Sequence, residues 1–123
     1  MTKTPIETSV VTTVNEKLTE ISKDAELVTL INVFVVEPEN QQLLVDMLIE
    51  ATEEAMCKQP GFISANIHKS LDGTHVTNYA QWRSVEDFRA IFKNLDALAH
   101  MPAIGKIAKS DPTLYEVCYT FNP

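Results

Sequence analysis

Asp72-Gly73 stands between two runs of strand-forming residues, Phe62 to Ser70 and His75 to Arg83. An Asp-Gly pair supplies the backbone freedom of a tight turn at little steric cost, so the two runs are expected to form an antiparallel hairpin. A two-residue turn would set His68 opposite Thr77. Helix signals bracket the hairpin on both sides. Gln59-Pro60-Gly61 stops a helix before it, because proline cannot continue one and glycine frees the backbone. Ser84 caps a helix after it, with Asp87 three residues on as the acid of a short capping box.

The remaining elements follow from periodicity. Leu27 to Val36 reads as a strand apolar on both faces apart from Thr29 and Asn32, with Leu30, Asn32, Phe34 and Val36 on one side. Glu37-Pro38-Glu39-Asn40 ends it and opens a helix to about Lys58. In that helix Leu43, Leu44, Met47, Leu48, Ala51, Ala55 and Met56 form one apolar stripe, and Glu50, Glu53 and Glu54 form a solvated face. The helix after Ser84 carries Val85, Phe88, Ile91, Phe92 and Leu95. Asp96 to Lys109 reads as a shorter helical piece interrupted at Met101-Pro102, ended by Asp111-Pro112. Leu114 to Phe121 reads as the last strand, with Tyr115, Val117, Tyr119 and Phe121 on one face. The order β-α-β-β-α-β predicts an α+β fold: a ferredoxin-like split βαβ, with a four-stranded antiparallel sheet and helices on one face. The first and third strands are then the central pair, which brings Asn32 beside Asn78 and Trp82. The other sheet face would stay uncovered unless a second copy packs on it, so a homodimeric α+β barrel is expected.

Residues 1–24, rich in Thr, Ser, Glu and Lys, read as an extension to a domain spanning 25–123. From Val14 onward, Val14, Leu18 and Ile21 give the extension a weak helical spacing, compatible with an arm lying over a partner subunit or with a disordered tail. The chain of 123 residues is long enough for one self-sufficient core. A formal charge of −7 argues against nucleic acid and anionic membrane surfaces as partners. Neither a secretory leader nor a membrane-spanning run is expected, which makes a cytoplasmic location the default. Cys57 and Cys118 lack metal-ligand spacing and read as reduced, buried thiols. No metal, flavin or nicotinamide motif is present, and no cofactor is expected.

The chemistry concentrates in Asn78-Tyr79-Ala80-Gln81-Trp82. Asn78 and Trp82 lie four residues apart on a strand and so share a face. If that face lines a cavity, an amide, an indole N–H and a flat apolar wall meet there. Asn32 interrupts the neighbouring apolar strand on the same side. A buried amide costs stability unless it is paired, and a mutual Asn32–Asn78 hydrogen bond would be the structural explanation.

Pro60-Gly61-Phe62, Asp72-Gly73, Asn78 to Trp82 and Ser84-Val85-Glu86-Asp87-Phe88 resemble the antibiotic biosynthesis monooxygenase family, over about residues 27 to 121. The Asn78, Trp82 and Asn32 set is similar to its cofactor-independent branch, which oxidises anthrone-type polyketides to quinones. The resemblance implies a dimeric barrel, a polycyclic phenolic substrate, O2 as co-substrate, and Asn78, Trp82 and Asn32 as catalytic residues. Leu30, Phe34, Phe88 and Phe92 would complete the substrate pocket, with His68 as a further contact. His68 and His75 are the nearby candidate bases by sequence, and solvent or the substrate's own phenolate is the alternative proton acceptor. His100, near a helix end, reads as a surface residue. Phe88 stands where other branch members carry a tyrosine, and their arginine finds no placed counterpart. Two other readings stay open. One is a haem-degrading relative, whose iron-ligating histidine would fall near Ile91-Phe92-Lys93. The other is a non-catalytic dimeric barrel that binds a small hydrophobic molecule. The sequence does not name the substrate or the general base.

Overall fold

A computed structural model describes residues 18–123. Strands β1 (Val28–Val36), β2 (Phe62–Lys69), β3 (His75–Trp82) and β4 (Ala108–Tyr115) form one sheet in the order β2-β3-β1-β4. Every adjacent pair is antiparallel. Helix α1 (Gln41–Glu54) crosses from β1 to β2; α2 (Val85–Ala90), α3 (Leu95–Leu98) and α4 (Met101–Gly105) connect β3 to β4. This is the ferredoxin-like split βαβ expected from the element order, with β1 and β3 as the central pair.

The hairpin is closed by side chains as much as by backbone. Asp72 Oδ1 accepts from the Thr74 N–H at 3.0 Å and from the Ser70 and Thr74 hydroxyls, each at 2.7 Å. These donors, the Ser70 hydroxyl first, hold the Asp72 carboxyl down at about 2. Gly73 takes the positive φ of 86° that the turn requires. Gln41, buried at the start of α1, donates to the carbonyls of Ser70 at 2.9 Å and His75 at 3.0 Å. It thereby clamps the helix to the turn. The connection is longer than the two-residue turn expected: Ser70 N–H donates to the His75 carbonyl at 3.0 Å and Gly73 N–H to the Ser70 carbonyl at 3.2 Å, which leaves Leu71–Thr74 as the loop. Two added residues preserve the parity, so His68 still lies opposite Thr77.

A bulge between Phe62 and Ser64 resets the parity of β2. Phe62 pairs with Trp82 and Ser64 with Gln81, so Ile63 is the extra residue and points into solvent. Phe62, Ala65 and Ile67 can then all face the helices. Beside the bulge, Gly61 has φ 84°, and a Cβ there would run into the Asp87 carboxylate. That carboxylate is fixed. Arg83 donates to it through Nε at 2.7 Å and Nη2 at 2.9 Å, and the Ser84 hydroxyl donates at 2.9 Å. The Arg83 bonds, and then that of Ser84, hold Asp87 below the usual carboxylate range. Ser84 Oγ also accepts from the Asp87 N–H at 3.1 Å, capping α2 as read from the sequence. Gly61→Ala is therefore expected to cost about 2 kcal/mol and lower Tm by roughly 10 °C. A thermal melt with an unchanged midpoint would contradict this account of the turn.

Several expectations are corrected. The last strand is Ala108–Tyr115, earlier than Leu114 to Phe121; Tyr119 and Phe121 lie beyond it and are exposed. Asp111-Pro112 looked like a terminator, but β4 is an edge strand, where a missing N–H is tolerated. Helix α1 ends at Glu54, with a separate 3-10 turn over Met56–Lys58. Leu43, read as part of its apolar stripe, is exposed, as is Leu95 after α2. Cys57 and Cys118 are exposed, not buried. Val14 of the extension lies outside the described residues. Its described end, residues 18–24, contains no helix and crosses the outer face of its own sheet. Asn66 Nδ2 donates to Thr19 Oγ1 at 3.0 Å, and Gln81 Nε2 donates to the Glu20 carbonyl at 2.7 Å.

The core divides into two clusters. One holds Phe34, Val36, Leu44, Leu48, Ala51, Val76 and Ile104. The other holds Leu30, Ala80, Trp82, Ile91 and Ala97. Asn32 falls between Leu30 and Phe34 on β1, and Asn78 falls between Val76 and Ala80 on β3. On each central strand one amide therefore replaces the apolar residue that would have joined the two clusters.

Candidate active site

A cavity of about 210 Å³ lies at this seam. Its walls come from both clusters: Phe34, Leu48, Ala51 and Ile104 on one side, Leu30, Ala80, Trp82 and Ile91 on the other. Asn32 and Asn78 are direct cross-strand partners, which places their Cβ atoms about 4.5–5.5 Å apart on one sheet face. Asn32, Asn78, Trp82, Leu30, Phe34, Phe88 and Phe92 all line the cavity, so these sequence-predicted residues converge. His68 does not line it. Its partner Thr77 faces the opposite side of the sheet from Asn78, and the bulge lies at the far end of β2, where it cannot turn His68 inward. His68 is exposed, with Nδ1 3.1 Å from the Asn66 carbonyl. His75 is likewise outside the cavity; its Nδ1 pairs with the Thr74 hydroxyl at 2.8 Å.

The two amides are held differently. Asn32 Oδ1 accepts the Asp111 N–H of β4 at 3.1 Å. That bond uses the acceptor and leaves the Nδ2 donors of Asn32 free for the cavity. Asn78 has a buried Oδ1 with no hydrogen-bond partner among the described residues, and no Asn32–Asn78 bond forms. The Trp82 Nε1–H is buried and unpartnered too. An unsatisfied buried polar group costs about 1–3 kcal/mol. Two of them in one cavity mark it as a place where stability is not maximised.

Trp82 is held from both sides. The Phe62 ring meets it edge-on at 5.5 Å and 88°, and Phe88 does so at 5.9 Å and 69°. Phe88 in turn meets Phe92 at 5.5 Å and 85°. The aromatic chain runs from the sheet to Phe92, which is half-exposed. Phe92, Gly105, Ser110 and Pro112 are the exposed lining residues and mark the opening. The enclosed volume is below the ~300–1,000 Å³ usual for ligand sites. A polycyclic ligand would fill it and extend through that opening.

The sequence reading missed His100 as a lining residue. It precedes α4 and is the only ionisable side chain among the described residues that line the cavity. Its position depends on how α3 and α4 turn back over the sheet, which local periodicity does not encode. No cavity carboxylate, lysine or cysteine accompanies it. The arrangement offers hydrogen-bond donors, aromatic edges and one imidazole in an apolar enclosure. Such a site can bind a flat aromatic molecule and favour its oxyanion over its neutral form.

The antibiotic biosynthesis monooxygenase family pattern matches residues 27–103. The chain belongs to the antibiotic biosynthesis monooxygenase family. It is 42% identical over 102 residues to the tetracenomycin-F1 monooxygenase of Streptomyces glaucescens, an alignment covering 83% of this chain and 91% of that relative. The solved monooxygenase from the gene ActVA-Orf6 of Streptomyces coelicolor, in complex with the ligand Nanaomycin D, is similar at TM-score 0.70 and 27% identity, covering 78% of this chain and 91% of that one. SnoaB, a cofactor-independent oxygenase from Streptomyces nogalater, shares the fold at TM-score 0.69 and 22% identity, covering 80% of this chain and 100% of its own. The family resemblance, the ferredoxin-like fold and the monooxygenase class read from the sequence are thereby borne out.

Proposed function

We propose that this family member oxidises a polycyclic phenolic, anthrone-type polyketide to a quinone with O2 and needs no metal, flavin or nicotinamide. The observation that carries this reading is one aromatic-walled cavity that gathers the Asn32 and Asn78 amides with the buried Trp82 Nε1–H, a donor unpartnered among the described residues. A phenolic anthrone that loses a proton from its central carbon becomes an electron-rich enolate. The enolate passes one electron to triplet oxygen, and the radical pair recombines as a hydroperoxide. Loss of water from the hydroperoxide leaves the quinone. Overall one CH2 and one O2 become one C=O and one H2O, so no external reductant enters. The asparagine amides would donate to the enolate oxygen, each bond to the charged form contributing about 1.5–3 kcal/mol. Trp82 would direct its N–H at the developing peroxide. Tetracenomycin F1, in the name of one relative, and nanaomycin D, the ligand bound in another, give the substrate class its scale.

A homodimer fits this reading. Val35 and Tyr115 are exposed on the sheet face opposite the helices, and Tyr119 and Phe121 are exposed beyond it. A second copy would cover them. A cytoplasmic setting is supported by two free, exposed cysteines, which survive best in a reducing compartment. Among the described residues no helix is long and apolar enough to cross a membrane.

The test is oxygen uptake by protein stripped of metal and flavin, with a hydroxylated anthrone. Quinone should appear in step with oxygen consumed, well above the buffer rate. Binding of the quinone product with no acceleration for any hydroxylated anthrone would leave a binding protein instead.

A further inference from the structure

The proposed chemistry begins with a proton leaving carbon, and an asparagine cannot take it. We infer that His100 is the proton acceptor, with the carboxylates of Glu50 and Glu54 beside its ring; this rests on the anthrone reading above. Among the described residues, no other ionisable side chain lines the cavity. The His100 side chain is only 23% exposed, and His100 lines both the cavity and an adjoining surface groove. Helix α1 places Glu50 and Glu54 one turn apart on one face. Glu50 Oε1 lies 3.7 Å from His100 Nδ1, and Glu54 Oε1 lies 3.4 Å from Nε2. Both separations exceed the ~2.7–2.9 Å of a charge-assisted hydrogen bond, so neither nitrogen is locked to its carboxylate. The two acids are exposed and can shift as the ring changes charge.

In the first step the central C–H bond of the substrate breaks and an N–H bond forms on the imidazole. The electron pair delocalises onto the carbonyl oxygen beside Asn32 and Asn78. After oxygen adds, the imidazolium returns its proton to the peroxide anion, which gives the hydroperoxide. The imidazole then takes the second proton from that carbon as hydroxide leaves, and the two combine as water. Histidine suits this cycle because its charge changes between pH 5 and 8. The titratable groups around it are Glu50 and Glu54 of α1, with Lys58 and Asp96 along the adjoining groove.

The experiment compares the parent protein with His100→Gln and His100→Ala. Trp82 is the only tryptophan, so quenching of its fluorescence by a bound quinone verifies that each variant keeps its cavity. His100→Gln is expected to lose about 10²-fold in kcat with KM little changed, in the range of a positioned general base. Its rate should also lose the acidic limb expected of the parent's pH profile. Added imidazole should restore part of the rate of His100→Ala. An active parent whose His100→Gln variant binds quinone and keeps kcat and pH profile overturns the role of His100 alone. A parent that turns over no hydroxylated anthrone overturns the reading on which that role depends, and the role with it.

Discussion

Replacing Asn78 with leucine is expected to lower turnover about 10²–10³-fold while leaving Tm unchanged or raising it. The two effects have separate causes. Turnover falls because an amide aimed at the enolate oxygen is gone, and leucine of similar volume offers no donor. Stability does not fall because Asn78 Oδ1 is buried without a hydrogen-bond partner among the described residues. Removing an orphaned buried acceptor relieves a penalty of about 1–3 kcal/mol. The new side chain would also join the two core clusters that Asn78 now separates. Steady-state oxygen uptake and a thermal melt on the same preparation check both halves. An asparagine kept for structure would give the opposite melt, a clear loss of Tm. Turnover within a few-fold of the parent would remove Asn78 from the chemistry. Asn32 gives no such clean separation, because its Oδ1 also holds the Asp111 N–H of β4.

The parts of this site that sequence reveals are those set by strand parity. Asn32, Asn78 and Trp82 share a face because side chains alternate along a strand, and the Asp72-Gly73 turn fixes which residues lie opposite one another. The same parity put His68 against Thr77, and the observed register keeps it there, away from the cavity. Other features depend on contacts that no local pattern encodes. Pro112 sits in a strand because β4 is at the edge of the sheet, a fact of topology. The bulge at Ile63 carries no glycine or proline to signal it, yet it lets Phe62 reach Trp82. His100 enters the cavity only because α3 and α4 are short and turn back over the sheet. Cys57 and Cys118 looked buried by residue type alone, but one follows the end of α1 and the other lies past the last strand. A thiol is buried by its neighbours and not by its chemistry.

Trp82 should give the largest loss of stability of any single change in the cavity. It is 2% exposed and packed between the rings of Phe62 and Phe88. Truncating a buried aromatic to alanine costs about 3–5 kcal/mol, a large share of the ~5–15 kcal/mol that holds a domain folded. Trp82→Ala is therefore expected to lower Tm on the order of 20 °C, and its lost activity would say nothing about mechanism. Trp82→Phe separates the two roles. A phenyl ring keeps most of the edge contacts, and the indole N–H it lacks has no partner among the described residues to leave behind. Its stability should stay within about 1.5 kcal/mol of the parent, as for other conservative core swaps. If the N–H meets the developing peroxide, losing a hydrogen bond to a charged oxygen should still slow turnover about 10–100-fold. Full activity in a well-folded Trp82→Phe protein would reduce Trp82 to an aromatic wall, and the oxyanion donors would then be the two asparagines alone.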